Sequence, residues 1–146
     1  MHQSGQIRTL ALALIRNGDR VLLSRGYDPV KQAEFYRALG GINFGESSAD
    51  ALQCELREEL DARLVDLHYL GCLESIFVFN NQSGHELIQL YRCNLADPEF
   101  YERDEIAFSE GERQKLARWV SIERCLSGEL QVVPKQFLAY LSAPAQ

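Results

Sequence analysis

Glu55, Glu58 and Glu59 stand three and four residues apart in a stretch whose pattern is helical. At about 100° per residue, the three carboxylates fall within an arc of roughly 100°. Like charges so spaced cost a helix roughly a few tenths of a kcal/mol per pair. Either water screens them or a cation sits among them. A hard divalent cation takes oxygen ligands, keeps several waters, and can complete its shell with substrate phosphates. The run from Gly40 to Ala62, GGINFGESSADALQCELREELDA, places six carboxylates and three glycines in 23 positions. Glycine lets backbone approach a phosphate with no Cβ in the way. Such a group suits charge neutralisation at phosphorus and a lowered pKa for a bound water. By itself ELREEL also reads as an ordinary solvated helix face. The glycine loop ahead of it shifts the balance toward chemistry.

These acids need a rigid support. Ser47, with Asp50 three residues on, is a helix N-cap pattern, and Leu52, Leu56 and Leu60 form an apolar stripe. A helix is therefore predicted from Ser47 to about Leu60, with Ala51 leaving space on the acidic arc. Upstream, two apolar runs flank Asn17-Gly18-Asp19, a hairpin signal. EFYRALGG reads as a short strand running into the glycine loop. Downstream, LVDLHYLGCLESIFVFN and HELIQLYRCNL read as strands around an NNQSG turn. DPEFYERDEIAFSEGERQ reads as a polar loop, LARWVSI as a strand, and Pro134 opens a short helix. Strands around two helices indicate one mixed-sheet α/β domain with helices on both faces.

Bulk properties exclude several classes. The 146 residues suit one domain with a sizeable core, and 46% apolar with 25% charged residues is a globular composition. A net charge of −6 argues against a nucleic-acid polymer as partner. Cys54, Cys72, Cys93 and Cys125 show no zinc-ligand spacing and read as reduced thiols of a cytoplasmic protein. TLALALI is too short to span a bilayer, so no membrane association is expected.

The residues from Gly40 to Ala62 resemble the box of the Nudix hydrolases, G-x5-E-x7-R-E-U-x-E-E-x-G-U, with U a bulky aliphatic residue. Gly40, Glu46, Glu55, Leu56, Glu58 and Glu59 match in register, six of nine fixed positions. Cys54 replaces the arginine, Asp61 the late glycine and Ala62 the final aliphatic. Asp tolerates the turn after a helix, but a thiol cannot make the arginine's bidentate ion pair.

The resemblance implies an α/β/α sandwich about a central mixed β-sheet, spanning a single domain over residues 1–146. It implies hydrolysis of a phosphoanhydride bond in a nucleoside diphosphate linked to another group, with Mg²⁺ or Mn²⁺. Glu55 and Glu59 would ligate the metal. Glu58 would be a further ligand, or would orient or deprotonate the attacking water. The Leu39 carbonyl would join the ligands, and Glu46 would brace the loop. Gly40 and Gly41 would line the substrate, with Arg25 and Arg37 placed to contact phosphate. An acid from residues 98–112, such as Glu99, Asp104, Glu105 or Glu112, would add to the metal shell. His85-Glu86 and the rings of Phe35, Tyr36 and Tyr91 are within reach of a substrate but fit sheet-surface and core roles as well. SIFVF, residues 75–79, carries neither the proline nor the tyrosine that marks certain substrates in the family. ADP-ribose-like, dinucleotide and nucleoside triphosphate substrates stay open. A homodimer is a further expectation. The rival reading is a catalytically impaired Nudix-like module that binds a nucleotide or regulates a partner, with Cys54 as its mark.

Overall fold

The turn at Asn17-Gly18-Asp19 closes a hairpin between β2 (Arg16–Asn17) and β3 (Arg20–Asp28), and Gly18 takes φ 63° there. The computed structural model describes residues 5–41 and 44–142. Ile42 and Asn43 of the glycine loop lie outside the described residues, as does His2. β1 (Ile7–Leu14) precedes the hairpin, and β4 (Ala33–Arg37) and β5 (Leu39–Gly41) follow it. The EFYRALGG segment is thus two short strands that part at the buried Ala38. β4 pairs with β3 and β5 pairs with β1, so the chain changes sheets immediately before the glycine loop.

Helix α1 spans Ser48–Leu60, with Ser47 as N-cap accepting from the Asp50 backbone N–H at 3.2 Å. Asp61 closes it in the left-handed region at φ 55°, the conformation that the family's glycine would take. Beyond it run β6 (Leu64–Phe79) and β7 (Gln82–Leu95), joined at Asn80 and Asn81, both at positive φ as a two-residue hairpin turn requires.

Residues 98–112 depart from the expected loop. Pro98–Glu102 forms a 3₁₀ turn and β8 (Glu105–Glu110) a strand paired with β9 (Arg113–Ser121). Ile106 and Phe108 supply the period-two burial, hidden in the sequence by the surrounding acids. Ile122–Leu126 is an additional short helix, α2, capped by the Ser121 hydroxyl. The C-terminal helix is a 3₁₀ turn, Lys135–Phe137, running into α3 (Leu138–Leu141).

The strands make a mixed sheet of order β5-β1-β7-β6, with β1 parallel to β7, and an antiparallel sheet of order β2-β3-β9-β8 with β4 beside β3. One core layer lies under α1: Leu52, Leu56 and Leu60 pack with Ala11, Leu39, Cys93 and Trp119. The other joins Leu12, Leu23, Ile88 and Val120 to Phe137 and Leu141 of the C-terminal segment. Helices therefore flank the strands on both sides, an α/β/α sandwich built around the mixed sheet. Cys93 and Cys125 fill core, whereas Cys54 is half-buried and Cys72 exposed. No helix among the described residues is long and apolar enough to cross a membrane.

Candidate metal and phosphate site

Helix α1 is fixed to the sheet by polar contacts at its first turn and near its middle. The Ser48 hydroxyl meets the Tyr91 hydroxyl at 2.5 Å. The Gln53 amide donates to the Leu64 carbonyl and accepts from the Leu64 N–H, both at 3.2 Å. Four buried side chains, Ala51, Leu52, Leu56 and Leu60, hold one face of the helix down. The acids beside that stripe are left at its margin: Glu55 and Glu59 half-buried, Glu58 exposed.

Glu55 lies directly over β5. A Cβ on Gly41 would sit 2.6 Å from its Cδ and 2.7 Å from its Oε2. Gly40 is packed against β1, where a Cβ would fall 2.0 Å from the Ala11 carbonyl oxygen. The two glycines do different work: Gly40 lets β5 pair with β1, and Gly41 makes room for a carboxylate.

Electrostatics sets these acids apart. Burial raises the pKa of Glu59 to about 8 from its ordinary 4.5, reinforced by Glu55 and Glu110 and opposed by Lys115. Its Oε1 is buried and lacks a hydrogen-bond partner. Burial also raises Glu55, helped by Glu58, Glu110 and Glu46. A buried carboxylate oxygen without a donor is costly. A cation would supply what the protein withholds.

Glu110, at the end of β8, was not among the acids singled out from the sequence. Burial pushes its pKa up, but the hydrogen bond and charge of Lys115 outweigh that and lower it. Lys115 Nζ donates to Glu110 Oε1 at 3.0 Å. Of the four acids expected from this region, Glu99 pairs with Arg103 and Glu105 with Arg118. The signal for Glu110 was the alternation Ile106, Phe108, which puts residue 110 on the same side of β8 as that buried pair, at its exposed end.

Cys54 donates its thiol proton to Glu46 Oε2 at 3.4 Å. That hydrogen bond, with burial and the Glu46 charge, raises the thiol pKa. This thiol–carboxylate bond stands where the box arginine would make a bidentate ion pair.

Arg25 and Arg37 do not share a face. The register sets Arg25 opposite Tyr36 and Arg37 opposite Ser24, so they project to opposite sides of β3 and β4. Arg25 pairs with Glu34 at 3.2 Å and, with Lys115, Leu116 and Arg118, lines a concavity of about 350 Å³. Arg37 pairs with the buried Glu86 at 2.7 Å. Tyr36 and Tyr91 pack against the core, while Phe35 meets Phe79 edge-to-face at 5.7 Å. His85 bonds Glu74 at 2.8 Å on the sheet surface. Trp119 is structural, its indole N–H donating to the Phe100 carbonyl at 3.1 Å.

Among the described residues, no three carboxylates, thiols or imidazoles converge into a preformed ligand shell. The donors nevertheless fit a hard cation: they are all oxygen, mutually repelling, and include one buried orphan acceptor.

Comparison with known proteins supports the fold and the family. The NUDIX domain model matches residues 6–141. A MutT NUDIX hydrolase from Burkholderia pseudomallei superposes with a TM-score of 0.68 at 20% identity, covering 94% of this chain and 99% of that one. A mutator MutT protein from Bacillus halodurans gives 0.62 at 15% identity, covering 93% and 83%. A NUDIX hydrolase from Nitrosomonas europaea gives 0.58 at 16% identity, covering 93% and 86%. At these identities the structural matches speak for the fold. The family model, spanning residues 6–141, identifies the protein as a member of the NUDIX family.

Proposed function

We propose that the protein is a Nudix pyrophosphohydrolase, dependent on Mg²⁺ or Mn²⁺, that cleaves a phosphoanhydride bond in a nucleoside diphosphate linked to another group. The observation that carries this reading is the buried, partnerless oxygen of Glu59 beside Glu55 and Glu110. Glu55 and Glu59 hold the cation, with Glu58 as a further ligand or as the group that orients or deprotonates the attacking water. The Leu39 carbonyl, adjoining Gly40 on β5, is an additional ligand. A bound divalent cation would neutralise phosphate charge and favour hydroxide over water at neutral pH. Gly40 and Gly41 would line the incoming diphosphate through their backbone, and Arg37 would meet a substrate anion. Arg25 lies on the other side of its sheet and contributes through the concavity it shares with Lys115 and Arg118.

Phosphoryl substitution asks mainly for positioning and charge stabilisation, which these residues provide without a covalent intermediate. The test is release of a mononucleotide from a panel of diphosphate-linked nucleotides with Mg²⁺. The wild type turns over at least one, and Glu55→Gln, still folded, loses activity by on the order of 100-fold or more. Equal rates for the two proteins would remove Glu55 from the reaction. Cys54, whose thiol bonds Glu46 in place of an arginine's bidentate pair, favours a second reading, a nucleotide-binding module. No turnover of any panel member, with Mg²⁺-dependent nucleotide binding retained, would select it.

A further inference from the structure

Two charged side chains are buried among the described residues, Asp28 and Glu86. Asp28 is accounted for by its turn, accepting from the Val30 and Lys31 N–H groups at 3.0 and 3.3 Å. Glu86 is different. Its Oε1 faces Arg37 Nη2 at 2.7 Å, and its Oε2 faces Arg8 Nη1 at 3.9 Å. The Glu86 side chain is 4% exposed, against 20% for Arg8 and 25% for Arg37.

One guanidinium neutralises a buried carboxylate, and two leave the group with a net positive charge. Burying such a set is a poor way to gain stability, because desolvation offsets most of the Coulomb attraction. Each guanidinium has five N–H donors in a fixed fork, and the contact with Glu86 takes only part of that set. The two arginines are also the more accessible members, so the surplus charge sits where solvent or a ligand can reach it.

The placement ties this group to the strand that carries the glycines. Arg8 and Glu86 are direct cross-strand partners on the parallel β1 and β7. Arg37 ends β4, two residues before Leu39 begins β5. Through Arg37, Glu86 links the two sheets on the opposite face of the mixed sheet from α1, and along β1 its partner Arg8 lies beyond the Gly41 end of the glycine strand. Arg8 lies three residues from Ala11, the partner of Gly41, or roughly 10 Å along an extended strand. An anion held there is a part of the substrate away from the carboxylates on α1.

We infer that Glu86 is a positioning residue that aims Arg37 and Arg8 at a phosphate or carboxylate of the substrate remote from the metal, making the three residues an anion receptor. This rests on the reading of Arg37 as a substrate contact. It does not require that the chain be catalytically active.

The test is titration of metal-free protein, in EDTA, with ADP as a diphosphate-bearing probe. Wild type binds saturably, and added salt weakens the binding. Glu86→Gln and Arg37→Gln each weaken it by about tenfold. The double variant is at most about threefold weaker than Arg37→Gln alone, since Glu86 acts only through the two arginines and Arg8 carries the smaller share. Arg8→Gln, which leaves the Arg37–Glu86 pair in place, weakens binding by about threefold and remains folded even if Glu86→Gln does not. Glu55→Gln keeps metal-free ADP binding, so failure of the hydrolase reading leaves this result standing. Multiplicative losses in the double variant would overturn the positioning role. So would unchanged affinity in Glu86→Gln and Arg8→Gln, or wild-type protein that takes up no ADP at millimolar concentration.

Discussion

At the scale of single residues, Glu59 is the group the fold treats most harshly. Burial raises its pKa to about 8, from 4.5 in an unstructured chain. The folded state therefore holds a proton that the unfolded state releases above its lower pKa. The stability contributed by protonated Glu59 is full below 4.5 and is lost as pH climbs toward 8. Glu55 is shifted in the same direction. In EDTA, the thermal midpoint of the wild type should fall across this window more steeply than that of Glu59→Gln. Mg²⁺ should flatten the wild-type curve by favouring the ionised form. Superimposable pH profiles for the two proteins, measured by thermal unfolding without metal, would refute the assignment.

At the scale of elements, the short strand β5 separates a folding requirement from a catalytic one. In Gly41→Ala the new methyl meets the far end of Glu55, a flexible side chain that can swing aside. Stability should then change little, while turnover falls by on the order of 100-fold because the carboxylate is misplaced. In Gly40→Ala the methyl meets the Ala11 carbonyl, which belongs to a paired strand and cannot yield. That variant should lose stability first, by about 2 kcal/mol or more. Parallel measurements of denaturant midpoint and kcat distinguish the two. A Gly41→Ala protein that unfolds as readily as Gly40→Ala would show that the site and the strand are not separable.

At the scale of the whole molecule, the two sheets are joined by buried apolar residues near the C-terminal segment and by a lighter clasp at their far tips. Lys31 Nζ, in the β3–β4 turn, donates to the Val78 carbonyl of β6 at 2.9 Å. Phe35 and Phe79 meet edge-to-face between the same two hairpins. An aromatic pair of this kind contributes about 0.5–1.5 kcal/mol beyond its buried area. Phe35→Leu should therefore lower stability by about 1 kcal/mol and speed amide exchange at both hairpin tips, leaving α1 protected. Exchange that rises in α1 to the same extent would mean that the tips and the helix open as one unit.

The sequence by itself determined the local features: the Ser47 cap, the leucine stripe, the Asn17-Gly18-Asp19 turn, the hairpin at Asn80 and the register of the acidic box. Each depends on residues within a turn or two of one another, where spacing alone decides geometry. It also carried the family, because six of the nine box positions lie within 20 residues of one another. Tertiary structure decided what comes from distant parts of the chain. Ala38 parts β4 from β5 because their partner strands lie in different sheets, a pairing no local pattern encodes. Glu110 reaches the acids of α1 only because β8 forms, and the acids around Ile106 and Phe108 hid that strand. Glu86 looked like one half of a surface pair with His85. Alternation along β7 instead turns it inward, between two arginines that precede it by 49 and 78 residues.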